Sequence, residues 1–355
     1  MHYSFSYGLA LLNRPTWAHR MNLVSAGLAP AIWQAREACP DRRMAMTDAA
    51  KAVKNNNTRA SQPHEKDPVP LLPGSLMWKD FGSYLFHLML PQAFILQSAH
   101  PVINAAVTVD KKYLNDPWGR AKGSTELLWP VVYSRPEKAI EMGRRLRELH
   151  RSIKGTDKQG NKFFALDPEA YSWVHETGFY SVVKMYELFD EPLSAEKRAK
   201  HFAEWKQMAA MLGIAERFIP QTEEAYWEHF NQIIETRLDA HNEALGDMMI
   251  PGHYSNYPVP PQLEGQLPRW LWKLMMLPFS VFMYRLTVAT LPENYRRKAG
   301  LRYNRADKAF FKAFCWAVRK AYPKVPEKDR YIPLAWRAID DARKHPEAYR
   351  YTAAG

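Results

Sequence analysis

Cysteine is scarce in this sequence. The 355 residues contain only Cys39 and Cys315. Two cysteines cannot build a disulfide framework, a cysteine-rich zinc site or the C-x-x-C-H motif that attaches haem covalently. We therefore expect a protein of a reducing compartment, with the cytoplasm as its location.

Motifs of several common enzyme classes are absent as well. No Gly-x-Gly occurs anywhere, which excludes the dinucleotide-binding fingerprint, and there is neither a phosphate-binding loop nor a G-x-S-x-G nucleophile motif. None of the 12 histidines has a glutamate three residues before it, so the Glu-x-x-His pairs of di-iron helical bundles are missing. The sequence therefore disfavours nucleotide chemistry and the usual metal clusters.

Long uncharged apolar runs are also lacking. The longest apolar stretch, residues 270–291, is interrupted by Lys273 and Arg285, whereas a membrane-spanning helix needs about 20 consecutive apolar residues. No transmembrane helix is predicted. Aromatic residues such as Trp270 and Trp272 share this segment with its basic residues. Two interpretations stay open: a buried core helix capped by its own charges, or a helix that contacts a membrane surface.

The composition itself predicts a folded and basic protein. Apolar residues make up 46% and aromatic residues 13% of the chain, enough to build a sizeable core. Its formal charge is +12, which would suit nucleic acid, an anionic membrane surface or an anionic cofactor. Because the aromatic residues lie in helical stripes and no nucleic-acid-binding motif is present, we expect no nucleic-acid partner.

The pattern along the chain divides it into three parts. Polar and proline-rich residues around 45–73 indicate a linker, so we predict a leader and flexible linker over 1–72, a folded body over 73–345 and a tail over 346–355. In the body, apolar residues recur at helical spacing and alternating β-type runs are scarce, which predicts a single all-α domain. Helices are predicted at 136–152, behind Asp167-Pro168, and at 193–212, 221–244, 267–290, 305–321 and 331–343.

Two histidines lie on apolar faces of these helices. His150 is at the edge of a predicted buried stripe formed by Ala139, Met142, Leu146, Leu149 and Ile153. His175 lies between Val174 and Gly178 on the stripe of the next helix. Each is compatible with an ordinary hydrogen-bonded histidine. Together, inside an aromatic and methionine-rich interior, they also suit the ligation of a large apolar cofactor.

An arginine and a third histidine stand near predicted helix starts. Asp116 is expected to cap a helix that contains Arg120, with Ser124 one turn later and Thr125 beside it. Arg120 is either a surface residue or a buried cation that binds a cofactor carboxylate or an oxygen species. His100, directly before Pro101, is interpreted as a helix cap or a ligand.

The order of motifs in the body resembles a known family. The motifs are, in sequence, PGSLMWKDFGSYLF, LMLPQAFILQSAHPVINAAV, LNDPWGRAKGST, RRLRELHRSIKG, FFALDPEAYSWVHETGFYS and HFAEWKQMAAMLGI. Over roughly residues 73–345 they are similar to the rubber oxygenase and MpaB-type oxygenase family, which includes the latex clearing proteins. The resemblance implies a globin-like helical domain around one haem b.

The same resemblance implies an activity. It predicts oxygen-dependent cleavage of carbon–carbon double bonds in a hydrophobic isoprenoid or other alkene substrate, to give carbonyl products. A dioxygenase is expected in preference to a monooxygenase. The alternative from another functional class is a haem-binding or lipophile-binding protein without turnover.

Site residues follow from the matched motifs. The resemblance makes His150 the proximal haem ligand, gives His175 a supporting role in the pocket, and identifies Arg120 as the pocket arginine that meets the haem propionates. The pocket hydroxyl of the family falls on Ser124 or Thr125.

Two positions depart from the family pattern. Gly123 stands where latex clearing proteins have a lysine that closes the distal iron position. Asn104 stands where they have their proposed catalytic glutamate. The lysine gate and the general base therefore do not transfer to this chain.

Overall fold

The structure of the protein, a computed structural model, describes residues 68–352. Its regular elements in this range are helices and one small hairpin, which confirms the predicted all-α class. None of the described helices is long and apolar enough to cross a bilayer. Most of the predicted leader and linker, residues 1–67, lies outside the described residues, and the predicted domain limits and globin-like packing stay predictions.

The first half of the described chain is built from short helices followed by two longer ones. These are α1 (Leu76–Asp80), α2 (Tyr84–His87), α3 (Leu90–Ser98), α4 (Pro101–Thr108), α5 (Lys112–Asn115), α6 (Pro117–Tyr133) and α7 (Pro136–Ser152). An antiparallel hairpin of β1 (Lys154–Thr156) and β2 (Lys162–Phe164) follows, with Gly155 opposite Phe163.

The second half contains the longest helices. These are α8 (Pro168–Phe189), α9 (Ala195–Met211), α10 (Glu223–Thr236), α11 (Glu243–Met248), α12 (Arg269–Thr290), α13 (Glu293–Lys298), α14 (Arg305–Ala321) and α15 (Pro333–Lys344). A 3-10 turn at His253–Asn256 packs against α12.

Local capping explains where the central helices begin. The Asp116 carboxylate accepts a hydrogen bond from the Gly119 amide at 2.9 Å, and Asp167 accepts one from the Ala170 amide at 3.0 Å. Proline occupies the first turn of both helices, where no amide hydrogen is needed. Helix α7 covers residues 136–152, as predicted, and α8 begins behind Asp167 as expected.

The prediction of one helix over 221–244 is wrong in its last third. Helix α10 ends at Thr236, and α11 begins only after Asn242. Asp239 accepts from the His241 amide at 2.9 Å and Asn242 from the Leu245 amide at 3.1 Å. These short polar side chains satisfy backbone amides locally, which lets the chain leave the helix and start another.

Helix α8 lies at the centre of the fold and packs against α2, α3, α9 and α14. Aromatic rings fill its contacts with α10: Phe179 meets Tyr226 edge to face at 4.9 Å, and Tyr180 stacks on Phe230 at 5.0 Å. Such pairs add to the hydrophobic burial of their rings. Helix α8 is therefore the element around which the neighbouring helices are positioned.

A buried carboxylate fixes the first helix to this core. The two oxygens of Glu204 on α9 accept from the Leu76 amide at 3.1 Å and the Met77 amide at 2.8 Å. Both amides lie in the first turn of α1, where they have no partner within the helix. Glu204 thus caps α1 although it lies 128 positions after Leu76 in the sequence.

We expect Glu204→Gln to destabilise the fold by about 1–3 kcal/mol, because an amide replaces one acceptor and removes the charge from both hydrogen bonds. Urea unfolding followed by circular dichroism measures the change. Glu141→Gln, which breaks an exposed pair with Lys138, is the matched control and should cost less than about 0.5 kcal/mol. Equal effects of the two substitutions would contradict the capping role.

Candidate functional site

His150 is held in one orientation at the end of α7. Its Nδ1 lies 2.8 Å from the Leu146 carbonyl oxygen, and its ring meets Tyr171 edge to face at 5.4 Å. Because a carbonyl only accepts, Nδ1 must carry the hydrogen, which leaves the lone pair on Nε2. Among the residues that the structure describes, Nε2 has no hydrogen-bond partner. An imidazole fixed through Nδ1 with a free Nε2 is the arrangement of a metal ligand.

Exposed apolar side chains surround this histidine. Ala139, Met142 and Leu146 are buried, as predicted for the α7 stripe, but Leu149 and Ile153 are exposed, and that part of the prediction is wrong. Helix α9 ends at Met211, whose carbonyl packs against Gly143. The last turn of α7 therefore extends past the end of its neighbour and is left uncovered.

The side of α8 that faces away from α9 is partly exposed near His150. Tyr171 is half-buried, and Val174, one turn later, is 39% exposed. Gln97 on α3 bridges to α8 through the Thr177 hydroxyl at 2.8 Å. A side-chain carbon placed on Gly178 would meet no atom within 4 Å. This side of α8 is therefore partly exposed.

Arg120 lies on the α6 side, against Phe94 of α3. Its guanidinium carbon is 4.5 Å from the centre of the Phe94 ring. Burial lowers the pKa of Arg120 from its ordinary value, and the nearby Tyr257 and Asp110 raise it. Within residues 68–352 no carboxylate forms an ion pair with it. Arg120 is partly buried, and its guanidinium has no ion pair in the described part of the chain, so it is available to bind an anionic group.

The two hydroxyls after Arg120 are not equivalent. Thr125 donates to the Ala121 carbonyl of its own helix at 2.9 Å. Ser124 is exposed, and the structure gives it no partner in the described part of the chain. A side chain on Gly123 would also meet no atom within 4 Å. Ser124 is thus the hydroxyl that is free to bind a ligand, and Thr125 completes a helical turn.

His175 points towards α9 and away from the partly exposed side of α8. Its Nε2–H donates to the Trp205 carbonyl at 2.9 Å, its ring stacks on the Trp205 indole at 4.7 Å, and the indole N–H donates back to the His175 carbonyl. Burial lowers the pKa of His175 to about 4. The structure places it in the contact between α8 and α9, on a different side from Val174. Its supporting role towards a cofactor stays a prediction.

His100 does not cap α4, so the capping interpretation is wrong. It occupies the position before the helix, but its side chain makes no capping hydrogen bond. Instead Nε2 lies 3.1 Å from Glu169, which also pairs with Arg237 at 2.6 Å. The buried ring connects α4 to the start of α8, because Glu169 attracts it more strongly than the amides of its own helix.

A second group of polar and aromatic residues was not predicted from the sequence. A cavity beside Phe94 is lined from the 253–257 segment and from α12 by His253, Tyr254, Tyr257 and Tyr284. The Tyr257 hydroxyl lies 3.1 Å from His253 Nε2, and burial lowers the pKa of His253, which keeps this imidazole neutral. The available signal was the run HYSNYP directly after Pro251-Gly252, a histidine and two tyrosines in a turn.

The geometry predicts a pH effect at His175. Its pKa is about 4 in the folded protein and 6.5 in an ordinary environment, so below about 6.5 the unfolded chain binds a proton that the folded one does not. Its contribution to stability is therefore present above pH 6.5 and is lost as the pH falls towards 4, by up to about 3 kcal/mol. Urea unfolding at pH 7 and pH 5 measures the loss.

His175→Gln keeps a donor for the Trp205 carbonyl and does not titrate, so its stability should fall less between these two pH values than that of the wild type. His241→Gln, at an exposed position, should behave as the wild type. If His175→Gln retained the full pH dependence, the buried neutral state of His175 would be refuted.

The family model described as "ER-bound oxygenase mpaB/B′/Rubber oxygenase, catalytic domain" matches residues 78–320, which include Arg120 and His150. No curated protein and no solved structure matches the chain. The family match covers well over half of the chain and confirms the resemblance of the ordered motifs. The chain therefore belongs to the mpaB and rubber oxygenase catalytic-domain family.

Proposed function

We propose that the protein is a haem b-dependent oxygenase that uses dioxygen to cleave a carbon–carbon double bond of a hydrophobic, isoprenoid or other alkene substrate. Membership of an oxygenase family supports the reaction class. The observation that carries the haem assignment is His150, whose Nδ1 is fixed by the Leu146 carbonyl and whose Nε2 has no hydrogen-bond partner in the described part of the chain.

The residues present fit a haem better than a bare metal ion. In residues 68–352 there is no group of three or more His, Cys, Asp or Glu side chains that would hold an ion. A haem iron needs only one axial side chain, since the macrocycle supplies the other ligands. The exposed side chains of Leu149 and Val174 would supply apolar contacts to such a ring.

Each site residue then has a distinct task. His150 Nε2 would bind the haem iron, and Arg120 would donate to a cofactor carboxylate, with Ser124 as a further donor. When bound, the haem supplies an iron that activates dioxygen for reaction with an alkene. Phe94, on which the Arg120 guanidinium packs, and Tyr284 line a small cavity of about 20 Å³.

Asn104 stands at the position of the family glutamate, so we assign proton transfer to another pair of residues. Asn104, at that position, accepts from the Ala244 amide at 3.2 Å and so serves to join α4 to α11. His253 Nε2 and the Tyr257 hydroxyl line the cavity and share one hydrogen bond. Tyr257 can hold the proton between them, because its hydroxyl donates to the unprotonated nitrogen.

A haem-binding or lipophile-binding protein without turnover is the second candidate. It is favoured by Asn104 and Gly123, which offer neither a carboxylate nor an ammonium group at two positions of the family pattern. Incubation of the purified protein with isoprenoid alkenes under oxygen and under nitrogen separates the two candidates. Carbonyl products formed only under oxygen support the oxygenase, and an intact haem spectrum without products supports the binding protein.

We expect His150→Ala to abolish haem retention, because it removes the only axial ligand assigned to the iron. The measurement is the Soret absorbance after haem-supplied expression, together with the mass of the extracted cofactor. Added imidazole should restore part of the Soret band by filling the vacated position. His241→Ala, at an exposed histidine, is the control, and an undiminished Soret band in His150→Ala would reject the assignment.

Arg120→Gln is expected to accelerate haem loss about tenfold or more, since a charge-assisted hydrogen bond to a carboxylate contributes roughly 1.5–3 kcal/mol. Transfer of haem to excess apomyoglobin measures the rate. Lys122→Gln removes an exposed charge two residues away and should leave the rate unchanged. Equal rates in the wild type and in Arg120→Gln would rule out the pairing with the cofactor.

A further inference from the structure

Helix α12 is apolar on its outer face as well as on its buried face. Its inner face contributes Trp272, Met276, Phe279 and Met283 to the core. The opposite side carries Trp270, 68% exposed, Leu274, 62% exposed, Leu277, 46% exposed, and the half-buried Val281. These four residues follow one another at spacings of four, three and four, and we call them the outer stripe of α12. A helix that is apolar all round is normally enclosed on every side.

The charged residues of α12 itself are all basic, and Asp307 of α14, which lines a pocket together with Val281, is paired with Arg285. No acidic residue occurs between Glu264 and Glu293. Arg269 and Lys273 are both exposed in the first turns of α12, beside Trp270. Within the described residues no carboxylate pairs with Lys273. An apolar stripe with tryptophan and flanking basic residues has the composition of a helix that lies in a membrane interface.

We propose that the outer stripe of α12 docks on the surface of an anionic lipid bilayer. Trp270, Leu274 and Leu277 enter the boundary between headgroups and acyl chains, and Arg269 and Lys273 bind lipid phosphates. The charge selects this occupant over a second copy of the chain. A two-fold interface would bring the same basic segment against itself without an acidic residue of that segment to compensate.

The docking surface borders the cavity next to Phe94. Ile250 lines this cavity and is also 48% exposed, and a side-chain carbon placed on Gly252, two residues later, would meet Leu277 of the outer stripe at 3.8 Å. A bilayer held on α12 would place its apolar phase beside the cavity mouth. That the bilayer delivers the hydrophobic substrate rests on the proposed oxygenase function, whereas the docking itself does not.

Co-flotation of the full-length protein with vesicles tests the proposal. Vesicles of phosphatidylcholine with phosphatidylserine are compared with vesicles of phosphatidylcholine alone, at low and high salt. We expect binding to the anionic vesicles that weakens with salt. The double substitution Leu274→Ser with Leu277→Ser should lower the partition coefficient about tenfold or more. Val109→Ser, at an exposed apolar residue of another element, should leave it unchanged.

Three results would overturn the proposal. These are failure of the wild type to float with anionic vesicles, equal flotation of the double serine variant, and a lipid-free dimer in sedimentation that the double variant dissociates. The Soret spectrum of each variant is recorded in parallel, so loss of docking and loss of haem binding are read separately.

Discussion

Removal of polar groups from water around helix α8 is the constraint that organises this structure. Most of its 22 residues are buried, and a buried polar group left without a partner costs roughly 1–3 kcal/mol. The groups are paired in different directions: Ser181 with Gln92 of α3, His175 with the Trp205 carbonyl of α9, and Tyr180 with the Thr290 carbonyl of α12. Because each bond reaches a different helix, together they determine the rotation of α8 about its own axis.

That rotation decides which residues of α8 lie on its partly exposed side. With His175 turned towards α9, the side that carries Tyr171, Val174 and Gly178 is left towards open space. Tyr171 in turn supports the ring of His150. Two histidines in similar apolar sequence contexts thus differ chemically, since one uses its ring nitrogen to join two helices and the other keeps a nitrogen free.

Two features of the protein lack a partner among its own described residues. Arg120 is a partly buried cation that forms no ion pair within the described residues, and the outer stripe of α12 is an apolar surface that remains in water. The first calls for an anionic group inside the site, and the second for an apolar phase outside the protein. Both fit a protein with a charged apolar cofactor and a hydrophobic substrate, and the positive net charge serves both.

Local rules within the sequence determined much of this protein. The all-α class, the limits of α7 and the caps Asp116 and Asp167 follow from the spacing of apolar residues and from side chains that bind amides three residues away. The order of the motifs was sufficient to identify the family. Periodicity also predicted correctly that Ala139, Met142 and Leu146 of α7 are buried.

Only the tertiary structure decided the rest. The exposure of Leu149, the pairing of His100 with Glu169 and the end of α10 at Thr236 could not be derived from helical spacing. Helical spacing also could not predict the cavity that Phe94, Tyr257 and Tyr284 line. The physical reason is that spacing relates residues within one helix, whereas burial and hydrogen-bond partners depend on residues far apart in the chain that folding brings together.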